Sequence, residues 1–203
     1  MKLSVQHLLR TFNPEKEDSK ERLIRVLESL IEQIDALSHI ADEFSNFAKM
    51  PPPDFAEMDL LPVIQNVMAI YQQETNATIE LETDLKETHV LADREQMVRV
   101  LNNLVKNAIQ AIPSDKNGEI RIRIDTEKEN YKIRISDNGM GMEQSQLNRI
   151  FVPYFTTKSN GSGLGLAMVK QIIENHNGTI TAESAIGTGS CFHLLIPQKN
   201  RTT

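Results

Sequence analysis

Asn103 and Asn107 stand four residues apart in Asn103-Leu104-Val105-Lys106-Asn107-Ala108-Ile109-Gln110-Ala111. On a helix that spacing puts both amides on one face. Their carbonyl oxygens suit Mg²⁺, a hard cation that takes few protein ligands and keeps several waters. Paired asparagines are also ordinary polar surface. Asp137 opens a second stretch, Asp137-Asn138-Gly139-Met140-Gly141-Met142, at the end of an alternating run. A carboxylate there can accept from the amino group of a base, while Gly139 and Gly141 let backbone approach a ligand. A plain tight turn has the same composition. Third comes Phe151-Val152-Pro153-Tyr154-Phe155-Thr156-Thr157-Lys158. Its apolar anchors, hydroxyls and cation suit a hinged loop whose Lys158 meets a phosphate. Phe151 and Phe155 serve equally as core, and Lys158 as solvated surface. The fourth stretch, Gly161-Ser162-Gly163-Leu164-Gly165-Leu166, runs straight into a helix. Backbone N–H groups at such a helix start bind anions. No strand precedes it, so it is not a dinucleotide fingerprint, and no P-loop occurs in the chain.

These residues need elements to hold them. The pattern predicts helices over 60–73, 93–112 and 162–176 and short strands over 78–82 and 89–92. Asp93 with Gln96 three residues on has capping-box spacing, and Pro113 ends that helix. Ile120, Ile122 and Ile124 alternate with arginines, and Tyr131, Ile133 and Ile135 alternate with Lys132 and Arg134. Such alternation predicts an antiparallel pair with one buried face. After the turn at Asn177-Gly178, two more strands follow over 179–183 and 190–196. The order predicts an α+β fold, a two-layer sandwich with helices on one face of a mixed sheet.

All nine glycines lie at Gly118 or beyond. The earlier half is helical in pattern. From Leu23 through Leu27, Leu30, Ile34, Leu37, Ala41 and Phe44 to Ala48, apolar residues recur at alternating spacings of four and three. That is a heptad seam on a helix over 19–49. Ile24, Val26, Ile31, Ile40 and Phe47 widen it toward a bundle. A shorter stripe, Val5, Leu8, Leu9 and Phe12, breaks at Asn13-Pro14. Two unequal helices cannot bury both stripes, so the expectation is a homodimeric bundle; packing on the chain's own C-terminal part is the alternative. Pro51-Pro52-Pro53 then stiffens a linker. The expected domains are 1–50 (partial dimerisation hairpin), 51–57 (linker) and 58–203 (catalytic α/β domain).

Composition narrows the function. The 203 residues are 39% hydrophobic and 25% charged, as in soluble globular chains, with a net charge of −6. A mildly acidic chain is a poor nucleic-acid binder through charge, so no nucleic-acid partner is expected. No apolar run reaches membrane-helix length, and the start lacks a signal-peptide core. No membrane contact by this stretch is expected, and a cytoplasmic location fits the single Cys191. A membrane-tethered parent protein is compatible with all of this.

In this order and spacing, the four stretches resemble the N box, the two glycine boxes and the F box of the sensor histidine kinase ATP-binding domain, a Bergerat (gyrase–Hsp90–histidine kinase–MutL) fold. Gly187-Thr188-Gly189 resembles that family's last glycine pair. The resemblance covers residues 60–197; the helical part resembles its dimerisation domain, and the wording of 151–158 is most like nitrogen-regulatory sensor kinases. It implies ATP and Mg²⁺ as cofactors. Asp137 would hold the adenine amino group. Asn107, with Asn103 beside it, would bind Mg²⁺ and phosphate. Gly139, Gly141, Gly161, Gly163, Leu164, Gly165 and Leu166 would shape the pocket. Phe151, Phe155, Thr156, Thr157 and Lys158 would belong to the ATP lid, and Asn107 and Lys158 would be the catalytic pair. The implied partners are a phosphoacceptor domain and a response regulator.

The match departs from the family at one point. There the acceptor histidine is followed directly by Glu or Asp, whereas the histidines here precede Leu8, Ile40, Val90, Asn177 and Leu194. In the family, a stretch like residues 2–6 lies just downstream of that site. The expectation is a kinase core whose acceptor lies outside this chain, without autophosphorylation of the chain alone. A non-catalytic nucleotide-gated dimerisation module and an anti-sigma-type serine kinase are the alternatives. A MutL-like motor ATPase is disfavoured, because Asn103 stands one turn before Asn107 where the hydrolytic members carry a Glu.

Overall fold

The computed structural model describes residues 17–75, 77–158 and 161–199. The chain divides into two units, and each is considered by itself. One holds the N-terminal helix together with 158–162; the other holds the chain from Met50 to Thr157 and from Gly163 onward. The stripe from Val5 to Phe12 lies outside the described residues.

In the first unit, α1 (Glu17–Ala48) is a single helix of 32 residues, near the predicted 19–49. Much of its seam is exposed: Leu27 is 47% exposed, Ile34 54%, Leu37 53% and Phe44 50%. Burying one such side chain contributes roughly 1.5–3 kcal/mol, so this stripe is a strong reservoir for association.

The second unit runs β1 (Ala56–Asp59), α2 (Leu60–Glu74), β2 (Thr78–Glu82), β3 (His89–Ala92), α3 (Arg94–Ala111), β4 (Glu119–Glu127), β5 (Asn130–Asp137), α4 (Gln144–Leu147), α5 (Gly165–Asn175), β6 (Thr179–Ala185) and β7 (Gly189–Pro197). The main sheet has the strand order β2-β4-β5-β7-β6. β2 pairs parallel to β4, and the other neighbours pair antiparallel. Ile120, Ile122, Ile124, Ile133 and Ile135 are all buried, as alternation requires, and Phe192, Leu194 and Ile196 continue the apolar face on β7. The helices bring Val63, Ile64, Val100, Leu104, Val169 and Ile172 to the same core. The predicted two-layer sandwich is the fold found.

Four details differ from the sequence reading. β1 is an additional strand: it pairs antiparallel with β3, Ala56 opposite Ala92, in a separate two-stranded sheet. The short helix α4, with a capping box between Glu143 and Gln146, is also additional. α5 starts at Gly165, three residues later than predicted, because Gly163 has φ +70° and cannot open a right-handed helix. The capping box at α3 is half formed. Asp93 Oδ1 accepts from Gln96 N (3.0 Å), but the Gln96 side chain donates to the Pro51 carbonyl (3.1 Å) instead of returning to the cap.

Asp59 ties the start of α2 to the segment before β3. Its Oδ1 accepts from Leu61 N (3.1 Å), Thr88 N (2.8 Å) and Thr88 Oγ1 (2.7 Å). Burial alone would raise its pKa; these hydrogen bonds outweigh burial and hold it below its ordinary value. A depressed carboxyl contributes stability above its unfolded pKa and loses it as pH falls through the folded one. Asp59→Ala is therefore expected to cost about 1–2 kcal/mol at neutral pH, the size of a lost helix cap. The deficit should shrink toward acid, which urea unfolding at pH 7 and pH 3 will measure.

Candidate functional site around helix α3

Three of the four stretches converge on α3. Its stripe Met97, Val100, Leu101, Leu104, Val105 and Ala108 is buried, which leaves Asn103 and Asn107 half-buried at the stripe's edge. Asn103 Nδ2 donates back to Arg99 O (3.0 Å). Its Oδ1 faces the start of α5, where a Cβ built on Gly165 would lie 2.5 Å from it. Glycine there lets the N-terminus of α5, and with it buried Leu164, close against the asparagine.

At the other end of α3, Ala111 O accepts from Met140 N (2.8 Å), seating the turn after β5. Gly139 is buried in that turn, and Gly141 adopts a positive φ. Asp137 lies on the helix-covered face of the sheet and is 8% exposed. Its Oδ1 accepts from Gly139 N (2.8 Å) and Ser190 N (3.2 Å). Its Oδ2 accepts no hydrogen bond among the described residues, which leaves an acceptor open to a ligand's N–H. Burial pushes this carboxyl above its ordinary value, while the two amide donors and the Lys116 ammonium pull it back.

Ser190 is a site residue that the motif reading missed. Its hydroxyl lies 3.0 Å from that of Ser184, and its N–H fixes Asp137 from the neighbouring strand. The glycine pair Gly187 and Gly189 just before it was the available signal. Gly189 has φ +108°, and a Cβ there would fall 1.9 Å from Asp137 O. No side chain fits that approach.

The loop stretch is anchored at its base. Tyr154, at φ +65°, donates its N–H to Gly163 O (3.0 Å), which closes the neck of the loop. The Arg149 guanidinium lies over the Phe155 ring, 4.5 Å from its centroid. Phe151 and Phe155 are half-buried, Thr156 and Thr157 are exposed, and Leu166 is half-buried in the first turn of α5. Lys158 and Gly161 group with the helical unit.

The donor set fits Mg·ATP chemistry. Among the described residues no cluster of three or more His, Cys, Asp or Glu could hold a metal alone. A cation here would rest on amide oxygens, phosphate and water, the coordination Mg²⁺ favours. Gly165→Ala separates site from fold. The intruding methyl meets the end of a side chain that can move, so the melting temperature should hold within a few degrees. Displacing Asn103 should weaken ATP binding about tenfold, a loss in the range of one hydrogen bond to a charged group, readable by calorimetry.

Residues 92–200 match the family described as histidine kinase-, DNA gyrase B-, and HSP90-like ATPase. Nitrogen regulation protein NtrY of Azorhizobium caulinodans is 33% identical over 97% of this chain and 26% of its own length. Sensor histidine kinase ZraS of Escherichia coli is 36% identical over 83% of this chain and 36% of its own. The chain thus spans about a quarter to a third of the curated relatives it matches. Among solved structures, the catalytic domain of histidine kinase ThkA superposes with a TM-score of 0.65 at 33% identity, over 71% of this chain and 96% of that one. ThkA in complex with the response regulator protein TrrA gives 0.73 at 26% identity, over 98% of this chain and 57% of that one. These relatives favour the sensor-kinase reading over the gated module and the serine kinase. Among the described residues no helix is long and apolar enough to cross a membrane. With the ATP-binding fold and the sensor-kinase likeness both in hand, the chain belongs to the histidine kinase-, DNA gyrase B- and HSP90-like ATPase family, as an ATP-binding catalytic core of the sensor histidine kinase type.

Proposed function

We propose that this chain binds Mg·ATP and passes the γ-phosphoryl group to a histidine outside its 203 residues. The observation that carries the reading is Asp137: a buried carboxylate with one oxygen locked by two backbone donors and the other left to accept. It takes the amino group of adenine. Asn107, with Asn103 beside it, holds the metal and phosphate oxygens, and Lys158 with Thr156 and Thr157 closes on the phosphates from the lid. Held there, Mg²⁺ would supply charge neutralisation on the phosphate oxygens. The residues' share is positioning and charge stabilisation, which together supply most of the rate enhancement in phosphoryl transfer. An imidazole nitrogen of the acceptor forms the new P–N bond as the bond from the γ-phosphorus to the ADP oxygen breaks.

The acceptor belongs to a phosphoacceptor domain, and the phosphoryl group then passes to a response regulator. Residues 1–50 serve as a dimerisation hairpin, 51–57 as its linker and 58–203 as the catalytic domain, in the cytoplasm. The half-exposed seam of α1 supports the homodimer. Leu27→Glu with Ile34→Glu should shift sedimentation from dimer to monomer at micromolar concentration.

The test is incubation with Mg²⁺ and γ-labelled ATP, alone and with an intact histidine-bearing dimerisation domain. Acid-labile label in the mixture only is the expected result. Label on the chain alone would place the acceptor among its own histidines, and acid-stable label would revive the serine kinase.

A further inference from the structure

The two helices that carry the phosphate- and metal-facing groups touch at both ends of α5. At one end Gly165, the first residue of α5, meets Asn103 of α3. At the other, His176 at the end of α5 meets Asp93 at the start of α3. The imidazole is 3% exposed. Its Nδ1–H donates to Ile172 O (2.8 Å), and its Nε2 accepts from Asp93 N (3.0 Å). The helices therefore run antiparallel, pinned at two points about 15 Å apart along α3. A shift at the His176 end moves Asn103 relative to the glycine-rich start of α5, because packed helices move as rigid rods.

The proline-rich segment closes on this far end. Phe55 stands edge-on to the His176 ring, with centroids 5.0 Å apart. Asp54 N donates to Asp93 Oδ2 (3.0 Å), and Pro51 O accepts from Gln96 Nε2 (3.1 Å). Three contacts thus tie residues 51–55 to the cap of one helix and the end of the other. The hold is incomplete. Gln96 is 4% exposed, yet its Oε1 has no partner among the described residues. The three consecutive prolines beside it offer no N–H. A half-satisfied buried amide lowers the cost of release.

We propose that residues 51–55 are a strap over His176 that sets the spacing of α3 and α5, with His176 as the positioning residue that links strap to nucleotide pocket. The proposal rests on the ATP reading above. A docked strap holds Asn103 and Gly165 at binding distance, and a released strap lets the helices part and weakens nucleotide affinity. The strap continues directly into the chain that leads back to α1, so whatever pulls on that chain acts on ATP binding at a distance from the pocket.

Linkage makes the proposal testable in both directions, since strap docking must raise ATP affinity by the factor by which ATP favours docking. Phe55→Ala and Gln96→Leu, on the full chain, should each weaken binding of a non-hydrolysable ATP analogue about fivefold, within the usual range of allosteric coupling. Phe55 is 42% exposed, so its loss should leave the fold intact. Saturating analogue should slow hydrogen exchange of the Asp54 amide by a similar factor in the parent chain, and by less in Phe55→Ala. Unchanged exchange at Asp54 in a nucleotide-saturated parent overturns the strap, whatever the variants' affinities. A parent chain that binds no nucleotide fails the underlying ATP reading instead, a separate and visible outcome.

Discussion

Asp137→Asn is expected to abolish useful ATP binding, with an affinity loss of about 100-fold (~2.8 kcal/mol). The variant is isosteric, so the effect is chemical. Gly139 N and Ser190 N both donate to Oδ1. In asparagine the carbonyl oxygen must take that place, since an NH₂ there would face two donors. The NH₂ then replaces Oδ2 and meets the amino group of adenine, donor against donor. Sites built to match a polar partner discriminate strongly for this reason. Stability should move the other way. Burial raises this carboxyl's pKa, so its ionised form costs folding free energy at neutral pH, and a neutral amide removes that cost. The expected record is lost binding by calorimetry with an unchanged or slightly higher melting temperature. In the parent, affinity should fall as pH drops through the raised pKa, because a protonated carboxyl loses an acceptor. An asparagine variant that binds like the parent would remove Asp137 from the site.

The second large effect is on rate. Asn107→Ala is expected to slow phosphoryl transfer to a supplied acceptor by about 10²–10³-fold, the cost of losing one preorganised group that meets developing charge. Alanine is the best helix former, and the stripe Leu104, Val105 and Ala108 that buries α3 is untouched, so the helix should persist. ADP binding should change far less than the rate. Asn107→Asp restores an oxygen but adds a charge, so it should recover part of the rate, more at higher Mg²⁺. A single-turnover rate within twofold of the parent would exclude Asn107 from the reacting centre.

Much of this architecture is local in origin and hence readable from residues. The isoleucine–arginine alternation of β4 specifies its buried face without reference to any partner. The cap at Asp93 and the period of α3 place both asparagines on one edge. What escaped the sequence depends on distant partners. β1 reads Ala-Glu-Met-Asp, four residues whose alternation is too short to mark a strand by itself, and it is a strand because β3 supplies its ladder. Ser190 reaches Asp137 across 53 residues. The Asp93–His176 contact spans 83 residues and takes the cap N–H that a local capping box would have used. The late start of α5 is a backbone matter: the left-handed turn at Gly163 costs nothing for glycine, so composition alone does not reveal it.

The register of β5 and β7 has an evolutionary corollary. Asp137 pairs with Ser190 at the point where the two strands part, and the chain between them carries the turn, the loop and α5. The neck at Tyr154 and Gly163 closes a smaller circuit inside that excursion. Residues added beyond the neck leave the sheet register alone, and doubling such a loop costs only about 0.6 kcal/mol of closure entropy. Relatives are therefore free to differ widely in the length and composition of this loop while the pairing of Asp137 with Ser190 stays in place. Under the ATP reading proposed above, divergence in how fast nucleotide is admitted and released can accumulate in one segment at little cost to the domain that bears it.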